Sequence, residues 1–202
     1  MHNKHKIARI NIAPAMASLS HGTQEKHMAV CHETVSHNVP GLADILGVEG
    51  VLEREGYGIH GITDKDGHKA WANGMGEAIL YHAGDVNGVA IGIEQVSEIP
   101  ILIEAKQITH EQAFNMWMER QAQLSATAIL LACWHNVHPT ERPLKRSDGK
   151  IESPGVCSHW DVSRWYPDAG GHWDCWPEDE GGYYPLDHVI DLAKQYVSAY
   201  RF

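Results

Sequence analysis

Apolar and polar positions fall into short blocks with two different periods along this chain. "MAVCHET" (Met28 to Thr34) is apolar for four residues and then abruptly polar. It predicts a buried strand whose last side chains leave the core. "VPGLADILGVEGVLERE" (Val39 to Glu55) places Leu42, Ile45, Leu46, Val48, Val51 and Leu52 at helical spacing behind Pro40, which suits an amphipathic helix. "GYGIHGITDKDGHKAWA" reads as strand, turn and strand, with Asp66-Gly67 as the hairpin signal. "GVAIGIEQV" (Gly88 to Val96) predicts a buried central strand with one charged residue, Glu94.

The capping pattern Thr109-x-x-Gln112 opens a long helix predicted to reach Trp134, with Phe114, Trp117, Leu124, Ala128 and Leu131 towards the core. A polar loop follows from His138 to Gly155. "LDHVIDLAKQYVSAY" (Leu186 to Tyr200) predicts a closing helix that buries Val189, Ala193, Tyr196, Val197 and Tyr200. A further short strand is expected from Lys6 to Ile12. Strands alternate with helices, so the expected fold class is α/β, with a mixed central β-sheet flanked by helices.

Size and charge narrow the picture. A chain of 202 residues accommodates one well-buried domain. The formal net charge of -10 argues against a nucleic-acid partner, because phosphate binding rests on clustered Lys and Arg. No apolar run is long enough to span a membrane, so membrane insertion is not expected, and the first residues lack the apolar core of a secretory signal. Synthesis in the cytoplasm is the expectation. Cys31, Cys133, Cys157 and Cys175 have no framework spacing and are expected to be thiols.

Candidate chemistry begins with 15 His, and one tripeptide locates it. His-Trp-Asp occurs at 159–161 and again at 172–174, but the flanking residues do not repeat. The two copies therefore read as lending different atoms to one site, a His from the first and an Asp from the second. Zinc hydrolases commonly use two His and one carboxylate and leave the fourth position to water. The strand-terminal His32 completes such a set with His159 and Asp174. Cys31 is expected to face away, because neighbouring side chains on a strand point to opposite faces. Cys175 remains a rival to Asp174 as third ligand, since both residue types bind zinc.

In order along the chain, "AVCHET", "GIHGITDKDG", "YHAGDVNGVAIGIEQV", "GVCSHWDVS" and "HWD" with "YPLDHVI" resemble the motifs of the zinc-dependent N-acetylmuramoyl-L-alanine amidases of the type-2 amidase and peptidoglycan-recognition fold. The chain resembles especially the catalytic domains of endolysins from phages of actinobacteria. The resemblance implies one Zn2+ ion held by His32, His159 and Asp174, with Glu94 as the catalytic carboxylate and His172 beside the last ligand as a catalytic helper. It implies a peptidoglycan hydrolase that cleaves the amide between N-acetylmuramic acid and L-alanine. It further implies an N-terminal extension at 1–25 packed on a catalytic domain at 26–202, a monomer, made in a host cytoplasm and acting on the wall.

Two departures stand out: Ile59 lies where relatives often carry a Tyr, and Cys175-Trp176-Pro177 follows Asp174 in place of Pro-Gly. The alternatives are a non-catalytic peptidoglycan-binding module of the same fold and a cytosolic muropeptide-recycling amidase. His82 and Asn87 are expected to support the fold or the substrate, His60 to line the site or fill the core, and Trp160, Trp165, Trp173 and Trp176 to pack or to wall a glycopeptide site.

Overall fold

The structure, a computed structural model, describes residues 20–34, 42–71, 78–166 and 172–199. The strand expected at Lys6–Ile12, the helix-opening Pro40, Tyr200 and most of the 1–25 extension lie outside them.

Five strands form one mixed sheet: β1 (Met28–Glu33), β2 (Gly61–Thr63), β3 (Lys69–Trp71), β4 (Ala90–Gln95) and β5 (Gly155–Ser158). Their order is β3-β2-β4-β1-β5, and only the β2–β3 hairpin is antiparallel. At its turn Gly67 has φ 81°, the left-handed region that a Gly enters without steric cost. The helices are α1 (Leu42–Glu55), α2 (Ile99–Glu104), α3 (His110–Glu119), α4 (Gln121–Val137), α5 (His159–Ser163) and α6 (Leu186–Tyr196). This is the expected α/β class with β4 at the centre of the sheet.

The strand pleat sorts the two faces. Ala29 and Cys31 of β1 and Ile91 and Ile93 of β4 join the main core with Trp117, Leu124, Leu131, Val189 and Ile190. Met28, Val30 and Ala90 pack on the opposite face with Val86, Cys157 and Val162. α1 covers another part of that face through Ile45 and Val48, which meet Ile59, Ile62 and Val96.

Three details depart from the pattern read above. The long helix is two helices, because Arg120 leaves helical geometry at φ -85° and ψ 45°. Its guanidinium binds Glu98 at 2.6 Å and lies over the Trp117 ring, so the turn is held by side chains that hydrophobic spacing does not register. In α1, Leu46 and Val51 face solvent while Ile45 and Val48 are buried, so the apolar stripe is narrower than the sequence suggests. Phe114, Tyr196 and Val197 are only half-buried. The Thr109–Gln112 capping box is present as read.

Candidate metal centre

β1 and β4 run parallel with His32 opposite Glu94. Alternation along β1 sends Cys31 into the main core and leaves His32 on the other face, and the same alternation sends Ile93 inward and Glu94 to the side of His32. Both polar side chains are nearly sequestered, His32 at 4% exposure and Glu94 at 8%. Among the described residues Glu94 has neither an ion pair nor a hydrogen bond to its carboxylate. Burial raises its pKa well above the usual carboxylate value, and the neighbouring charges of Asp174 and Glu33 push the same way.

His159 arrives from the end of β5. Ser158 caps α5, accepting from the Asp161 amide, and Asp161 accepts in return from the Ser158 amide, a reciprocal box that fixes the first turn. His159 is the first residue of that turn. Arg146 clamps the box from outside, donating to both Asp161 oxygens at 3.2 and 3.3 Å.

Asp174 comes from an irregular segment that a buried network holds in place. Its Oδ2 accepts from the Glu33 amide at 3.3 Å. Cys175 has φ 55°, a left-handed backbone that turns the next side chain the other way, into the main core, where its sulfur accepts from Gln95 Nε2 at 3.4 Å. Downstream, the Trp176 carbonyl accepts from the amides of both Tyr183 and Tyr184. A Cβ on Gly182 would lie 2.2 Å from that carbonyl oxygen, so the close approach requires glycine. The two phenols then anchor the segment to the strands: Tyr183 donates to Glu33 and Tyr184 to Gln95, whose amide also donates to the His32 carbonyl. Glu33, its pKa pushed up to about 7 by burial, Gln95 and the tyrosine pair are supporting residues that sequence reasoning did not identify. The adjacent "YY" beside a quoted motif was the available signal.

The three side chains converge. His32 Nδ1 lies 3.1 Å from His159 Nδ1 and 3.6 Å from Asp174 Oδ2, and His159 Nδ1 lies 3.2 Å from Asp174 Oδ1. Ligand atoms about 2.0–2.2 Å from a tetrahedral zinc ion stand about 3.3–3.6 Å apart, close to these separations. The donor set, two imidazoles and a carboxylate, is one zinc accepts, and a second observation fits a cation. Asp174 Oδ1, 3.2 Å from His159 Nδ1, is buried and among the described residues forms no hydrogen bond, so an acceptor stands open beside that ring.

Electrostatics favour the binding-ready protonation states. Burial and the neighbouring His159 lower the His32 pKa to about 4 against the opposing pull of Asp174, so the ring is neutral at pH 7. Burial alone would raise the Asp174 carboxyl, but the charge and polar contacts of His159 and His32 outweigh it and hold the pKa well below the usual carboxylate range. No proton then competes with a metal for the carboxylate.

The remaining residues named from sequence fall into place around this centre. His172 stacks on His159 with ring centroids 4.3 Å apart, its Nδ1 is 3.6 Å from Asp174 Oδ1, and its side chain is solvent-exposed. It marks the side on which the centre meets water. Cys175 points into the core, so the geometry brings Asp174, and not its rival, to the two histidines. Ile59 is buried against α1 and offers no hydroxyl. His60 is a core residue with both ring nitrogens bound to backbone. Trp160 stacks with Trp176 at 5.7 Å beneath Arg164, Trp173 packs on Tyr183, and the exposed Trp165 lies under Lys150. All four cysteines are free thiols. A second group, Asp64, Asp66 and His68, also gathers ligand atoms, but Asp64 is occupied by the Asp66 and His68 amides and the His68 ring. Among the described residues no helix is long and apolar enough to cross a membrane.

No family model and no curated protein matches the sequence. The fold is shared with solved structures. N-acetylmuramoyl-L-alanine amidase LysC from Clostridium intestinale URNW superposes with a TM-score of 0.50 at 16% sequence identity, covering 83% of this chain and 85% of that one. The Staphylococcus aureus hydrolase AmiA, solved in complex with its ligand, gives a TM-score of 0.53 at 16% identity over 86% of this chain and 73% of that one.

Proposed function

We propose that this chain is a zinc-dependent N-acetylmuramoyl-L-alanine amidase, a peptidoglycan hydrolase that cleaves the bond between the lactyl group of N-acetylmuramic acid and L-alanine of the stem peptide. The observation that carries the proposal is the meeting of His32, His159 and Asp174 beside a buried Glu94 that has no partner among the described residues. The shared fold with an amidase of that activity supports it.

His32, His159 and Asp174 would hold the ion. When bound, zinc supplies Lewis acidity and lowers the pKa of water towards neutrality. Glu94, desolvated in the strand end, takes the proton of the attacking water and delivers it to the departing alanine nitrogen. His172 donates a hydrogen bond to the carbonyl oxygen as negative charge develops there. Gln95, Tyr183 and Tyr184 keep the β-strand ends and the Asp174 segment in register, so little reorganisation is needed on substrate binding. The biological setting that suits the sequence is a phage endolysin acting as a monomer on the host cell wall.

The test is digestion of purified actinobacterial peptidoglycan with and without a zinc chelator, followed by labelling of new amino termini. New N-terminal alanine that disappears with chelator and returns with zinc is the expected outcome. Zinc-loaded protein that yields none from intact wall or soluble muropeptides would overturn the enzyme in favour of a binding module. Glu94→Ala is expected to retain zinc and lose activity by about 10²–10⁴-fold, the usual range for a general acid–base residue.

A further inference from the structure

Behind His32 lies an imidazole that the proposed reaction does not use. His82 Nδ1 is 3.0 Å from His32 Nε2, and His82 Nε2 is 3.4 Å from the Ala90 carbonyl oxygen. A carbonyl can only accept, so the hydrogen in the second contact belongs to His82 Nε2. A neutral imidazole carries one hydrogen, which the Ala90 carbonyl places on Nε2, and among the described residues no carboxylate bonds to the His82 ring. Its Nδ1 must then accept, and the hydrogen in the first contact belongs to His32 Nε2. His32 Nδ1, the atom facing His159 and Asp174, is left with a bare lone pair. We propose that His82 is a positioning residue that locks His32 in its Nε2–H tautomer and ring orientation, with the backbone carbonyl of Ala90 as the fixed end of the chain. The inference rests on His32 being a metal ligand, and it adds to that reading the residue that prepares the ligand.

The fold makes room for this arrangement. A Cβ on Gly92 would come within 2.8 Å of the His82 ring, so the glycine of "IGIE" clears the space the imidazole occupies. Asn87 holds the backbone on either side of the ring, its Oδ1 accepting from the amides of His82 and Ala83 at 2.9 and 2.8 Å. The ring of His60 stands edge-on to His82 with centroids 5.5 Å apart, and His60 is itself immobilised by the Ala78 carbonyl and the Gly92 amide. Each of these contacts restrains the His82 ring or its backbone, and none competes with His32 for Nδ1. A ligand histidine whose second nitrogen donates to a fixed acceptor is a recognised way of presenting the other nitrogen to a metal.

Two measurements on the full chain test the proposal. In zinc-free wild-type protein at pH 7, nitrogen NMR of the His side chains is expected to show His32 as the Nε2–H tautomer, and an Nδ1–H tautomer overturns the inference whatever the metal does. By competition with a chromophoric chelator, His82→Leu is expected to bind zinc about 10–100-fold more weakly, as for the loss of a partner hydrogen-bonded to a ligand. His82→Asn, which keeps an acceptor near the lost Nδ1, is expected to recover most of that loss. Equal losses in both variants, or none in His82→Leu at unchanged thermal stability of the zinc-free protein, would sink the positioning role. If His82→Leu does not fold, the wild-type tautomer decides. Wild-type protein that binds no zinc would overturn the metal reading itself, while the tautomer is still decided by NMR.

Discussion

The two His-Trp-Asp copies are identical in sequence and opposite in use. At 159–161 the histidine enters the candidate metal centre, and the aspartate, at the third position of its helix, accepts from the Ser158 amide and binds Arg146. At 172–174 the aspartate enters the centre, and the histidine stands in solvent against His159. Backbone conformation makes the difference. The first copy opens a capped helical turn, which points residue one inward and turns residue three back on the strand end. The second is followed by a left-handed residue, Cys175, whose backbone sends its own sulfur into the core, away from Asp174. A tripeptide therefore specifies chemistry only when the dihedral angles around it are known.

That asymmetry can be broken experimentally. The largest effect is expected from His159→Ala and Asp174→Ala, each of which should abolish both zinc retention, measured by metal analysis after dialysis, and alanine release. Were the copies equivalent, His172→Ala and Asp161→Ala would do the same. Instead His172→Ala should keep one zinc per chain and lower turnover by about 10²–10³-fold, the cost of one donor to a developing oxyanion. Asp161→Ala should keep zinc as well and lose about 1–3 kcal/mol of stability through the lost hydrogen bonds from the Ser158 amide and Arg146, read by denaturant unfolding. The smallest effect sharpens the Cys175 side of the comparison: Cys175→Ser should leave zinc stoichiometry unchanged and be felt in stability, because the sulfur lies in the core with Gln95 as its donor. Loss of zinc in Cys175→Ser would restore the rival ligand.

Much of the scaffold was legible because it rests on local or periodic signals. The abrupt polarity after "MAVC" marks where β1 leaves the core, Asp66-Gly67 marks the hairpin, and Thr109-x-x-Gln112 marks the start of α3. The break at Arg120 was not legible, because a non-helical residue between two helices leaves hydrophobic spacing nearly unchanged and the ion pair to Glu98 is distant in sequence. Nor was the exposure of Leu46 and Val51, since helical spacing gives the apolar face but not the width its neighbours cover. The candidate site was readable as residue types and strand alternation. Its supports were not: Tyr183 reaches Glu33 across 150 positions and Tyr184 reaches Gln95 across 89.

The sequence by itself determined the alternation that puts His32 and Glu94 on one face and Cys31 and Ile93 on the other, because the period of a strand is a property of the chain alone. It also determined the local box that aims His159. Only the tertiary structure decided that Asp174 and not Cys175 meets the two histidines, and that His82 stands behind His32 over a glycine. Those outcomes depend on distances between segments far apart in the chain, and close packing, not local propensity, sets such distances.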